Sequence, residues 1–143
     1  MPIRPEHRHF YPIDWLQLSA AIRFGRAGGR CEACGRPHGQ VIVCLDAGTW
    51  YDPDAEVWRN GRGLPLRRSP GLAALAGARL TQPILATCHR GHDTSRNGGR
   101  DLAAWCQRCH LIHDRPEHLR RRQLTYLRRR ALGDLFLGPY PLR

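Results

Sequence analysis

Two cysteines and two histidines share one short stretch of this chain, Cys106-Gln107-Arg108-Cys109-His110-Leu111-Ile112-His113. A second Cys-x-x-Cys pair, Cys31 and Cys34, stands far upstream. Zinc prefers four ligands at the corners of a tetrahedron, and each Cys-x-x-Cys turn supplies two sulfurs to one ion. One ion bound by both pairs would join the first third of the chain to its last third. The sequence therefore predicts a structural zinc site formed by Cys31, Cys34, Cys106 and Cys109.

The competing interpretation of the six cysteines, which include Cys44 and Cys88, is a set of three disulfides. The short spacing within each pair and the lack of a secretory segment speak against it. The residues before Tyr11 carry charges but no apolar stretch of the kind that a signal or transit peptide needs. We therefore expect a cytoplasmic protein with reduced cysteines.

The composition is strongly basic. Of 143 residues, 23 are lysine or arginine and 12 are acidic, and the formal net charge is +11. All 23 are arginines, whose planar guanidinium group suits phosphate oxygens and guanine edges. A partner that bears phosphate groups is therefore favoured. No long apolar run suggests a membrane span. The candidate DNA-binding residues are Arg120, Arg121, Arg122, Arg128, Arg129 and Arg130.

Two helices are predicted to flank the cysteine pairs, one from 14 to 27 and one from 115 to 132. The second is expected to open near Pro116 and to stop at Gly133. Apolar residues at helical spacing share one face of the first helix: Trp15, Leu18 and Ile22.

Short strands are predicted between the helices. Residues 50–51 and 57–58 are expected to form a hairpin, because Asp52-Pro53-Asp54 between them favours a turn. For segment 59–83, the sequence does not decide between a short helix and an irregular excursion. Residues 84–89 are predicted to form a strand, followed by a loop, a return strand and a helix that begins at the second cysteine pair.

The segment from Ala86 to Asp114 resembles the core of HNH endonucleases, with a histidine at position 89 and the string Cys106-Gln107-Arg108-Cys109-His110. The chain is most similar to small bacterial and prophage HNH proteins, which share a Cys-x-x-Cys after an amphipathic helix and the ending Arg128–Phe136. The resemblance covers most of the chain and is weakest from 46 to 82. It implies a ββα-metal fold, also called a His-Me finger, and a metal-dependent DNA endonuclease.

The resemblance also implies roles for three residues. His89 falls where the family keeps its general base, Asp101 where it keeps an asparagine, and His110 where it keeps a metal-binding histidine. A neutral imidazole can take a proton from the water that attacks phosphorus, and we expect a backbone carbonyl to hold its tautomer. Mg²⁺ or another divalent ion would stabilise the charge that develops. Besides His110, the candidate ligands for this ion are Cys88, His92 and His113.

Three positions depart from the family pattern. Asp101 replaces asparagine, Gly91 replaces aspartate, and Cys88 stands where many HNH enzymes have a metal ligand. Cys88 would be either a ligand for a softer metal or a buried small side chain, and the second reading is favoured. The departures keep a second function open, a catalytically inactive zinc module that binds DNA or a protein partner in a phage or defence assembly. In an active enzyme, cutting both strands would call for a homodimer or a partner.

These expectations combine into one α+β domain from 1 to 143. In chain order it comprises a basic arm (1–11), a helix with the first zinc knuckle (12–45), a variable insert (46–82), the ββα-metal core (83–114), and an arginine-rich helix with a C-terminal tail (115–143).

Overall fold

The computed structural model describes the backbone of residues 5–137 and the side chains of residues 8–131. The first four residues of the predicted basic arm and residues 138–143 of the predicted tail lie outside the described residues. Chain contacts separate two compact units, one up to His110 and one from Leu111 on. Helices and two small antiparallel sheets make up the described part, which confirms the mixed α+β class.

The described elements comprise helices and six short strands. They are a 3-10 helix at Pro5–Phe10, α1 at Trp15–Ala20 with a π-helical continuation at Ala21–Arg26, β1 at Ile42–Cys44, a 3-10 turn at Asp46–Gly48, β2 at Trp50–Asp52, β3 at Val57–Arg59, α2 at Leu72–Leu75, β4 at Arg79–Thr81, β5 at Leu85–His89, β6 at Leu102–Cys106, and α3 at Gln107–Leu137.

The β5–β6 hairpin is the centre of the first unit. It is antiparallel over five residue pairs, from Leu85 opposite Cys106 to His89 opposite Leu102. Every residue of β6 is buried, because alternate side chains of this strand pack on different neighbours. Leu102 and Ala104 pack against α1 and its continuation, whereas Ala103 and Trp105 pack with the cysteines.

The first helix uses the face that the sequence predicted. Ile22 is buried against Leu102 and Ala104, and Trp15 and Leu18 pack on the same cluster. Fully burying one such side chain stabilises a fold by about 1.5–3 kcal/mol. A hydrogen bond of 3.0 Å between the hydroxyls of Ser19 in α1 and Thr87 in β5 adds a polar contact to this packing.

Three strands of the insert and β1, which directly precedes the insert, form a four-stranded sheet in the order β3-β2-β1-β4. The predicted hairpin is confirmed as β2 and β3, which pair from Trp50 opposite Arg59 to Asp52 opposite Val57. The segment 59–83, which the sequence left open, contains both a helical turn and a strand. Its strand β4 pairs with β1, an interaction that local sequence patterns do not reveal.

The helix predicted to begin at the second cysteine pair and the helix predicted from 115 to 132 are one continuous helix, α3. It begins at Gln107, and it continues past Gly133, the predicted stop, to Leu137. Pro116 lies inside it rather than at its start, and having no N–H it leaves the carbonyl of Ile112 without its helical donor. A continuous helix loses this one hydrogen bond, but it does not require the unfavourable nucleation of a second helix. In the described part of the chain, no helix is both long and apolar enough to cross a membrane.

A buried carboxylate ties the insert to the first cysteine pair. Asp52 is 1% exposed and accepts hydrogen bonds from Arg59 at 2.7 Å and from Arg30 at 3.3 Å. Burial opposes ionisation of Asp52, but the hydrogen bonds and charges of the two arginines lower its pKa. The interaction stabilises the fold where Asp52 is ionised.

Replacing Asp52 should therefore destabilise the first unit. We expect Asp52→Asn to lower the free energy of unfolding by about 1–3 kcal/mol, because a neutral amide pairs less strongly with two arginines. The loss should be full above the pKa of an unfolded aspartate, about 3.9, and should shrink as the pH falls through the lower folded pKa. Urea titrations at several pH values measure it. The control is Asp54→Asn, because Asp54 also pairs with Arg30 but is 61% exposed; equal losses in both variants would contradict the prediction.

Candidate metal centre and histidine site

The four predicted zinc ligands meet in space. Ligand atoms of Cys31, Cys34, Cys106 and Cys109 all lie within 4.8 Å of one another, and Cys34 Sγ is 3.7 Å from Cys106 Sγ. Tetrahedral sulfurs bonded to zinc at about 2.3 Å lie about 3.8 Å apart, whereas a disulfide holds them at about 2.05 Å. All six cysteines are free thiols, and the disulfide interpretation is wrong. The cluster is therefore compatible with a structural metal such as zinc.

The electrostatics of the cluster also favour a cation. Hydrogen bonds from Cys106 and Cys109 lower the pKa of Cys31, and they lower that of Cys34 to about 6. Hydrogen bonds with the other sulfurs raise the pKa of Cys109, which keeps its proton. Four thiolates at this distance repel one another, so all of them ionise together only when a cation lies between them.

Backbone and side-chain donors hold the sulfurs. The N–H of Cys106 donates to Cys31 Sγ at 3.3 Å, and the buried Arg36 donates to Cys34 Sγ at 3.2 Å. Burial lowers the pKa of Arg36, but the thiolate charge and hydrogen bond of Cys34 raise it further, so the guanidinium stays charged. Donors of this kind orient ligands and stabilise the thiolate form.

The first knuckle is attached to the free edge of β6. The N–H of Glu32 donates to the carbonyl of Ala104 at 2.9 Å, and the Glu32 carboxylate accepts from the N–H of Ala104 at 2.8 Å. Arg26 donates to both carboxylate oxygens and to the carbonyl of Leu102. These hydrogen bonds link the first knuckle to β6, and none of them involves a metal ligand atom.

Two arginines connect the knuckles to the insert. Arg36 follows the first pair and donates to the carbonyl of Gly48 at 2.7 Å. Arg108, inside the second pair, donates to the carbonyl of Gly61 at 3.2 Å. Gly48 has φ +80°, and its missing side chain leaves the space that the Arg108 guanidinium occupies. The insert is thus packed on the cysteine cluster.

His89, the predicted base, is the last residue of β5 and is partly buried. Its ring stacks on Trp15 with centroids 5.7 Å apart and lies edge-on to Tyr11 at 5.6 Å. Its Nε2 is 3.0 Å from Oδ1 of Asn97. Burial, and then the nearby Cys88, raise the pKa of Tyr11, so its hydroxyl stays protonated at neutral pH. The ring is therefore held by aromatic contacts and one hydrogen bond.

Asn97 is the residue that the sequence reasoning missed. We expected a backbone carbonyl to orient the ring, but the side-chain amide of Asn97 bonds to it. The sequence predicts only a loop at this position. The signal was weak, because an asparagine before two glycines is typical of any turn.

Asp101 supports the loop between β5 and β6 mainly through its backbone. Its N–H donates to the carbonyl of Gly98 at 2.9 Å, and its carbonyl accepts from Arg90 at 2.8 Å. Its carboxylate lies over Gly98, where a Cβ would be 2.8 Å from Oδ2. Asp101 therefore helps to close the loop between the two strands.

The candidate ligands for a catalytic ion lie in different surroundings. Cys88 is 3% exposed and packs in the apolar cluster with the four cysteines, in line with the favoured reading of a buried small side chain. His92 is exposed in the loop after β5, with φ +57°. His110 lies in the first turn of α3, half-buried. Among the described residues up to His110, the four cysteines are the one group of three or more such donors lying within 4.8 Å of one another.

In the second unit, His113 Nδ1 lies 3.0 Å from the carboxylate of Asp114. The six predicted DNA-binding arginines are all exposed on α3. Two of them, Arg120 and Arg121, pair with Glu117 at 2.8 and 2.6 Å, and these bonds lower the pKa of Glu117 to about 2. The other four have no ion pair with a described residue: Arg122, Arg128, Arg129 and Arg130.

The chain matches no protein-family profile, no curated protein and no solved structure. The HNH resemblance therefore stays a prediction.

The four-cysteine cluster predicts one zinc ion per chain. We expect chelation, or Cys109→Ser, to unfold the first unit at room temperature, because structural zinc sites supply about 10 kcal/mol or more of apparent binding free energy. Mass spectrometry of the metal content and thermal melting with and without chelator measure this. Cys44→Ser is the matched control, since Cys44 lies outside the cluster. A Cys109→Ser protein with full zinc content and an unchanged melting temperature would overturn the assignment.

Proposed function

We propose that this protein is a metal-dependent DNA endonuclease of the HNH type with a ββα-metal core, and that His89 is its general base. The observation that carries the proposal is the setting of His89. The residue ends a strand of a hairpin that runs directly into a helix, and its ring is oriented from three sides while remaining partly exposed. A general base needs a fixed ring that water can reach.

In the proposed reaction, His89 takes a proton from a water molecule. The water oxygen forms a bond to phosphorus, the bond from phosphorus to the 3′ oxygen breaks, and its electron pair leaves with that oxygen, which takes a proton from solvent. The products are a 5′-phosphate and a 3′-hydroxyl. Mg²⁺ or another divalent ion, for which His110 is the proposed ligand, would stabilise negative charge on the phosphate.

The arginines of α3 supply the proposed contact with DNA. A net charge of +11 attracts a polyanion, and exposed guanidinium groups bind phosphate without reading the base sequence. Arg122, Arg128, Arg129 and Arg130 are better candidates than Arg120 and Arg121, because Glu117 already neutralises part of the charge of that pair.

The second candidate function is a non-catalytic zinc module that binds DNA. Cys88 favours it, because its side chain is buried in the apolar cluster with the four cysteines. The cluster that includes Cys88 also contains Ala103 and Trp105, on the face of β6 away from α1. An enzyme would then need its ion bound without this residue.

Conversion of supercoiled plasmid to nicked and linear forms separates the two candidates. With Mg²⁺, Mn²⁺ or Ni²⁺ we expect nicking by the native protein and a loss of about 10²–10⁴-fold in His89→Ala, because a positioned base contributes that much. The zinc content should be unchanged, since His89 is outside the cysteine cluster.

The matched control is His118→Ala, which removes an exposed histidine of α3 and should keep full nicking activity. If native protein, His118→Ala and His89→Ala all bind DNA and none nicks it, the enzyme is ruled out and the zinc module is retained.

The arginines of α3 predict a salt dependence of DNA binding. Replacing Arg128, Arg129 and Arg130 by glutamine should weaken the binding. It should also reduce the slope of log K against log salt by about 0.9 for every phosphate that the protein no longer neutralises. The control replaces three exposed insert arginines, Arg62, Arg67 and Arg68, and removes the same charge. Fluorescence anisotropy at several salt concentrations measures both. Equal slopes for the two triple variants would indicate a general charge effect instead of a specific surface.

A further inference from the structure

The amide of Asn97 can take only one orientation. Its Nδ2 donates to three backbone carbonyls, those of Phe10 at 2.8 Å, Thr94 at 3.2 Å and Ser95 at 3.4 Å. Turning the amide over would point an oxygen at three oxygens, none of which carries a hydrogen. Oδ1 of Asn97 therefore faces the ring of His89.

This orientation decides the protonation of His89. An amide oxygen only accepts hydrogen bonds, so the Nε2 that lies 3.0 Å from it must carry the hydrogen. In a neutral imidazole the other nitrogen then holds the lone pair. The basic atom of His89 is Nδ1.

We infer that Asn97 is a positioning residue, which holds His89 as the Nε2–H tautomer and leaves Nδ1 to accept the proton. The tautomer follows from the hydrogen bonds alone, whereas the role of Nδ1 in catalysis rests on the proposed function. The bond from Nε2–H to Asn97 persists when Nδ1 takes the proton of water, so the ring does not have to turn during the reaction.

The same amide couples the site to the N-terminal segment. Phe10, whose carbonyl accepts from Asn97, directly precedes Tyr11, and the rings of Tyr11 and Trp15 contact His89. The side chain of Asn97 thus joins the loop after β5 to the segment that leads into α1, and residues of both segments contact the imidazole. Loss of the amide would free the ring at its edge while leaving the aromatic stacking in place.

The test compares three forms of the full-length, zinc-loaded protein by nitrogen-15 NMR of the histidine rings, with His89 assigned from the His89→Ala spectrum. In the native protein we expect a proton on Nε2 that exchanges slowly with water. Asn97→Ala removes the acceptor, so Nε2–H should exchange at least tenfold faster and the second tautomer should appear. Asn60→Ala is the control, because Asn60 also accepts two backbone bonds in a loop, from Arg62 and Leu64.

Plasmid nicking by the same proteins tests the catalytic part. We expect Asn97→Ala to lower kcat by roughly 100-fold with little change in KM, because the misplaced base still faces bound DNA. Unchanged kcat in Asn97→Ala, or a native His89 protonated on Nδ1, overturns the inference. A native protein with the expected Nε2–H signal but no nicking supports the tautomer and rejects the nuclease, so the two proposals fail separately.

Discussion

The first unit depends on the meeting of two Cys-x-x-Cys turns that are far apart in sequence. Cys31 and Cys34 come before β1, whereas Cys106 ends β6 and Cys109 follows it, so the contact of the two pairs closes a loop that spans β1 to β6. Closing such a loop costs conformational entropy, and a metal held by four thiolates can supply the free energy. Arg36 and Arg108 then fasten the insert to the two turns.

The two sides of the β5–β6 hairpin pack against different sets of residues. On the side of α1 lie Thr87 and His89, with Ser19 and Trp15 against them. On the other side, Cys88 and the second cysteine pair form the apolar core around the sulfurs. The cysteine cluster, which is compatible with a structural metal, thus lies on a different side of the hairpin from the imidazole of His89.

The fold was predictable where one short segment carries its own signal. The face of α1, the β2–β3 turn and the paired cysteines follow from local spacing, and each was confirmed. The β1–β4 pairing was not predictable, since it joins segments across the whole insert. The prediction of a separate helix that opens near Pro116 was wrong, because a proline that opens many helices can also be tolerated inside a long one.

By itself, the sequence determined the four sulfur ligands, the basic surface of α3 and the α+β class, because cysteine spacing, charge and periodicity act over a few residues. Only the tertiary structure decided that Cys88 packs with the sulfurs and that Asn97 bonds to His89. The bond from Asn97 depends on the path of the loop after β5, which is held by contacts with Phe10, Arg26 and Leu102 as well as by hydrogen bonds within the loop. Hydrogen bonds between distant segments leave no pattern in the chain, since any turn-forming asparagine would look the same.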